Sequence, residues 1–173
     1  MSPLEEARAV RTRTAVYEGP RYLHWRVSGE GAFALLDRVS TAALRLQHAQ
    51  LRQSLFLNDD GTVFADVLVG RADEDYVLFT EGPDAAALEG FLRRHAVGAS
   101  DFTLLDLTPS QRSLSLTGPW AWELLGEAFG PELLGMPYLS MFKLTFGLQA
   151  VPLLVVRAGT TGEFGYALSA DRS

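Results

Sequence analysis

The chain has no cysteine, which excludes disulfides, iron–sulfur ligation and thiolate zinc sites within it. Histidine is scarce. His24, His48 and His95 stand far apart and without metal-ligand spacing, so each is expected to be structural, with no metal site. Long apolar runs are missing too: the longest, residues 150–156, is interrupted by Pro152 and is far too short to span a bilayer. The opening "MSPLEEARAV" carries acid where a secretory signal needs base. No basic cluster exceeds Arg93-Arg94-His95, and the net charge is −6, which argues against a nucleic-acid backbone or an anionic membrane as partner. No serine occupies a nucleophile elbow. "RAGTTGEFG" (157–165) is glycine-rich but lacks the Lys-Ser/Thr ending of a phosphate loop. These absences leave a cytoplasmic globular protein as the expectation.

The 173 residues, 47% hydrophobic and 21% charged, suffice for one sizeable core or for two small lobes. A short helix is expected over 4–13, followed by a strand at 22–27. Ser28 is then placed to cap a helix from about Glu30 to Leu46, with Phe33, Leu36, Val39 and Leu44 near one face. Next come two strands around the turn Asn58-Asp59-Asp60-Gly61, whose residue types suit a tight hairpin. A strand at 76–80, a well-marked helix at 83–95 and a strand at 102–107 close a β-α-β-β-β-α-β unit.

The pattern then begins again: a strand at 112–118, the helix "PWAWELLGEAFG" and three strands within 140–147, 151–159 and 165–170. Trp120 and Trp122 cannot share a helix face, so one is expected inside and the other at a rim. After "GYALSA", Ser169 or Asp171 is placed to cap the helix that the first repeat has there. Either the sequence stops one helix short, or a partner supplies that cover. The fold class is therefore α+β, two interleaved β-α-β-β-β-type lobes with antiparallel or mixed sheets. Residues 1–173 form one unit with sub-lobes at about 21–108 and 110–173, and 4–20 packing on the second.

Within "SLFLNDDGTVFADVLVGR" (54–71) one residue is out of place. Val63, Ala65 and Val67 share one strand face, and Phe64, Asp66 and Leu68 the other. Both faces are otherwise apolar, so Asp66 is expected to be at least half buried. Buried without a cation, such a carboxylate can give or take a proton near neutrality. Equally, it can accept from a loop backbone or pair with an arginine. One carboxylate without a nucleophile or metal suits a site that orients a heterocycle or a charged nitrogen.

Five segments, in order, carry a resemblance to the aminomethyltransferase (glycine-cleavage T-protein) family and its folate-binding relatives. They are "AVRTRTAVYEGPR", "RVSGEGAFALLDRVST", "LFLNDDGTVFADVLVGR", "LSLTGPWAWELL" and "VVRAGTTGEFGYALSA". The third resembles the family's "MLNEDGGVIDDLIVYR" and the fifth its "VSRTGYTGEDGFEI". The match spans nearly the whole chain and only part of the family's length, without its final barrel domain. It implies two lobes of a three-lobed ring, with the pterin of tetrahydrofolate in the central opening. It places Asp66 on the family's key carboxylate, which polarises the folate nitrogens that accept the one-carbon unit. It implies ligand-binding roles for Tyr22, Gln53, Glu81, Arg157, Thr160 and Glu163.

The chain departs from that pattern at several points. Ala65 replaces the first acid of the "DD" pair, Thr160 the Tyr of "GYTGE", and Ala167 an acid that grips the pteridine. Gln53 stands where an aromatic precedes the strand, Glu81 or Gly82 where an Asn follows the third strand, and "EGP" at 18–20 displaces "DLSH". A weakened tetrahydrofolate site is implied. Two functions follow from the resemblance: a divergent aminomethyl-transfer or folate-binding protein centred on Asp66, or a non-catalytic subunit similar to the gamma subunit of sarcosine oxidase. Under the second, a larger protein or another copy covers the open edge.

Overall fold

The computed structural model describes residues 2–18, 22–98 and 101–172, which form four α-helices and ten strands. They fall into two compact units: unit 1 comprises 1–21 and 110–173, and unit 2 comprises 22–109. All strand pairs are antiparallel.

Unit 2 begins with β2 (Leu23–Ser28), α2 (Ala32–Val39), β3 (Leu51–Leu57) and β4 (Val63–Ala72). It continues through β5 (Asp75–Glu81), α3 (Ala85–His95) and β6 (Thr103–Asp106). Its sheet order is β3-β4-β5-β2-β6. One face carries the core: Trp25, Val27, Phe56, Ala65, Val67, Val69, Tyr76 and Leu78 pack under Leu36 and Val39 of α2 and under Leu88, Phe91 and Leu92 of α3. α3 starts where Asp84 Oδ1 accepts from the Ala87 backbone N–H at 2.8 Å, and its last turn holds Arg93, Arg94 and His95, so both ends complement the helix dipole.

Unit 1 opens with α1 (Pro3–Thr12) and β1 (Ala15–Glu18). Ser2 and Glu5 close a reciprocal capping box at the start of α1. After Pro109 come β7 (Gln111–Thr117), α4 (Ala121–Phe129), β8 (Ser140–Phe146), β9 (Val151–Arg157) and β10 (Gly165–Asp171). The order β8-β9-β10-β7-β1 reproduces that of unit 2, with β1, from before the first repeat, in the place of β6. Leu116, Ala121, Leu125, Leu133, Met136, Val155, Tyr166 and Leu168 form its core.

The repeat extends to the turns before α2 and α4. Gly29 (φ 101°) and Gly118 (φ 135°) each lie against a backbone carbonyl: a Cβ would come to 2.3 Å from Asp101 O in the first case and 2.0 Å from Arg13 O in the second. Glycine alone fits both the backbone conformation and the space.

Several sequence expectations require correction. The second helix does not run from Glu30 to Leu46; it ends at Val39, and Ser40 is extended. Its N-cap is Gly31 without a side-chain bond, so Ser28 does not cap it. Phe33 is exposed, and Leu44 reaches the core from the following loop, which is why it fitted a helical period without being helical. β1 was not anticipated, being a four-residue edge strand with an exposed Val16 and Tyr17. Among the described residues Ser169 and Asp171 both lie in β10, opposite Ser113 and Gln111. Trp120 is exposed just before α4 while Trp122 packs against the core, as their spacing requires. No helix among the described residues is long and apolar enough to cross a membrane.

Candidate functional site

The hairpin formed by β3 and β4 positions Asp66. Its turn is closed by Asn58, whose backbone N–H and C=O bond Thr62 and Gly61 at 2.9 Å each, and by Asp60, whose carboxylate accepts from the Thr62 backbone at 3.0 Å and hydroxyl at 2.7 Å. Those bonds hold the Asp60 carboxyl below its usual pKa, the Thr62 hydroxyl contributing most and the Thr62 backbone next. Asp60 therefore serves hairpin geometry, while Asp59 lies 3.8 Å from His95 Nε2.

Beyond the turn, alternation sends Ala65 and Val67 into the core, where both are buried. Asp66 lies on the opposite face and is partly buried. Its neighbours across the ladders are Leu55 on β3 and Glu81 on β5. The Gln53 side-chain amide donates to both Asp66 carboxylate oxygens at 3.3 Å. The same face continues through Leu68 and Phe79, which are paired, to His24, paired with Phe79; the His24 and Phe79 rings stack at 4.5 Å. The result is a small acidic centre on an apolar floor: two opposed carboxylates, one of them gripped by an amide.

Of the residues singled out in the sequence, unit 2 therefore brings Gln53, Asp66 and Glu81 together. Tyr22 lies one position before the Leu23–Thr80 pair, at the strand end that also carries Glu81. Asp66 is bonded by a glutamine side chain, neither by a loop backbone nor by an arginine. The opposition of Glu81 was also unforeseen; a strand register taken from the short turn between β4 and β5 would have revealed it.

Arg157, Thr160 and Glu163 belong to unit 1. Arg157 ends β9, donates to Met136 O, and lies over the Phe164 and Tyr166 rings at 5.2 and 5.9 Å. Thr160 and Glu163 sit in the following loop. Glu163 pairs with Arg11 at 3.1 Å, and Thr161 bonds Thr117 at 2.9 Å. Gly165 pins the end of the loop, since a Cβ there would lie 2.5 Å from Gly159 Cα. Burial of Tyr166 raises its phenol pKa, with Arg157 opposing.

A pair of five-stranded antiparallel lobes is a fold shared with known proteins. The GCVT N-terminal domain family model matches residues 2–173, and the chain belongs to that family. It is 31% identical over 175 residues to an aminomethyltransferase of Exiguobacterium sibiricum, covering 98% of this chain and 47% of that protein. It is 28% identical over 170 residues to the aminomethyltransferase of a Geobacillus species, covering 97% and 46% respectively. The chain thus spans about half the length of the curated relatives it matches. Among solved structures, the glycine cleavage system aminomethyltransferase T from Bartonella henselae superposes with a TM-score of 0.80 at 23% identity, over 96% of this chain and 44% of that one. A chain of heterotetrameric sarcosine oxidase from Corynebacterium sp. U-96 superposes with a TM-score of 0.59 at 19% identity, over 93% and 79%; both likenesses concern the fold.

Proposed function

We propose that this chain binds a reduced folate or a closely related N–H-rich heterocycle and takes part in aminomethyl transfer, with Asp66 as the polarising carboxylate. The observation that carries the reading is the Gln53–Asp66–Glu81 centre. Two carboxylates opposed across a ladder concentrate negative charge on one face, and such a face suits a ligand that brings hydrogen-bond donors. Gln53 adds an amide whose oxygen can accept while its nitrogen steadies Asp66. This acceptor set fits tetrahydrofolate, whose reduced ring and amino group are rich in N–H donors. The cofactor, when bound, supplies the nitrogens that accept a one-carbon unit.

The chain's own part is to hold a fixed negative charge where positive character develops, which needs no reorganisation at the moment of transfer. Asp66 performs that role; Glu81 keeps the local potential negative, and the apolar floor of Leu68 and Phe79 limits water. Tyr22, Arg157, Thr160 and Glu163 are proposed as binding residues on the resemblance. In this chain Arg157 and Glu163 already have protein partners, so their contribution is expected to be smaller. The acids that the resemblance expects at 65 and 167 are missing, which predicts weaker affinity than the full set of acceptors would give.

A second reading is a non-catalytic subunit of a larger assembly, supported by the fold shared with a chain of the heterotetrameric oxidase over 93% of this one. Equilibrium dialysis against tetrahydrofolate and fully oxidised folate separates the two. The first reading expects saturable binding that prefers the reduced, N–H-rich ring; absence of binding to either leaves the subunit reading.

A further inference from the structure

The turn between β3 and β4 contains Asp60-Gly61, the only Asp-Gly step in the sequence, which has no Asn-Gly step. An aspartyl carboxyl can be attacked by the backbone nitrogen of the residue that follows it. Glycine, without a Cβ, leaves that nitrogen least hindered. Both residues are exposed, so water reaches the step.

The turn holds both reacting groups. The Asp60 carboxylate accepts from the Thr62 hydroxyl at 2.7 Å and from the Thr62 backbone N–H at 3.0 Å. Thr62 Oγ1 in turn accepts from Asn58 Nδ2 at 3.0 Å, so the single hydroxyl proton is directed to Asp60. The attacking nitrogen is engaged as well: Gly61 N–H donates to Asn58 O at 2.9 Å, and Gly61 is held at φ 84°. Attack requires the neutral carboxyl, because the ionised form is a poor electrophile. The bonds from Thr62, hydroxyl first and backbone second, favour the ionised form.

We propose that Asp60 is a covalent-modification site, an aspartyl–glycyl step that converts to isoaspartate, and that the Thr62 hydroxyl guards it. First a bond forms between the Gly61 nitrogen and Asp60 Cγ while a carboxyl C–O bond breaks. The departing oxygen leaves as water, with its own proton and that of the Gly61 amide. Water then adds to the cyclic imide. Opening at the side-chain carbonyl restores aspartate; opening at the main-chain carbonyl gives isoaspartate, with the chain running through Cγ. Nothing is oxidised or reduced, and the net charge is unchanged.

The isomerised chain is one methylene longer between Asn58 and Thr62, whose N–H to C=O bond at 2.9 Å closes the hairpin. The same hairpin sets Leu55 opposite Asp66 and carries the Gln53–Asp66 bonds. Isomerisation at Asp60 therefore loosens the strand pairing that positions Asp66.

The test is incubation of the intact chain at about pH 5, where an ordinary aspartate keeps a minor protonated fraction. Isoaspartate is followed by methyl incorporation from an isoaspartyl methyltransferase and assigned to residue 60 by peptide mapping. The wild type is expected to react at least tenfold more slowly when folded than in urea. Thr62→Val keeps the shape and the backbone N–H but lacks the hydroxyl, and should react several-fold faster than the folded wild type. Thr62→Ser keeps the hydroxyl and should stay near the wild-type rate. The isolated isoaspartyl form should exchange its β3 and β4 amides faster than the unmodified chain. The proposal is overturned if folded and urea-unfolded chains react alike, or if Thr62→Val reacts no faster than the wild type. It is equally overturned if Thr62→Ser reacts as fast as Thr62→Val, or if amide exchange is unchanged by the modification.

Discussion

Asp66 and Glu81 are direct partners in the β4–β5 ladder, two carboxylates facing one another on neighbouring strands. Like charges so placed cost stability, roughly 0.2–1 kcal/mol. Asp66→Asn should therefore leave the fold intact and raise the stability of unit 2 by a few tenths of a kcal/mol, read from urea unfolding. A marked loss of stability would mean that the carboxylate is a structural acceptor and not a ligand group.

The tight turns before α2 and α4 give a second expectation. Gly118→Ala places a Cβ 2.0 Å from Arg13 O at a φ of 135°, so it should cost about 2 kcal/mol or more. Gly29→Ala should behave alike, because the same turn recurs in the other unit. Thermal melts of both variants test the internal repeat as well as the turns; a variant that melts with the wild type contradicts it.

Phe91 anchors α3, stacking on Phe56 and Phe64 and contacting the His95 ring at 4.3 Å. Phe91→Ala leaves a cavity between helix and sheet and should cost about 3–5 kcal/mol. A loss below about 1 kcal/mol in denaturant titration would show that α3 is not the main cover of that core.

Alkaline stability should depend on Tyr166. Its buried phenol holds its proton more tightly in the folded state, the burial effect exceeding the opposing charge of Arg157. Stability from this group is complete below the unfolded tyrosine pKa of about 10 and is lost as pH rises through the higher folded value. Tyr166→Phe should flatten the decline of the melting temperature above about pH 10, while an unchanged profile would assign the alkaline limit elsewhere.

Much of the fold was legible because most elements obey local rules. Asp84 and the arginines bracket α3, "NDDG" announces the hairpin, and alternation in "VFADVLV" places Asp66 on the face opposite Ala65 and Val67. Failures arose where tertiary packing overrode local pattern. Leu44 mimics a helical position yet reaches the core from a loop. β1 is short and exposed, so only its pairing with β7 makes it a strand. At the candidate site Asp66 stood out as an acid in an apolar run. The opposition of Glu81 and the grip of Gln53 depend on register, a nonlocal property.

The most direct test of the account is calorimetric titration of tetrahydrofolate into the wild-type chain and into Asp66→Asn. The account predicts saturable binding to the wild type and affinity at least tenfold lower in the variant, corresponding to about 1.4 kcal/mol or more, while the variant remains as stable or more so. No heat with the wild type, or equal affinity in the two proteins, would contradict it.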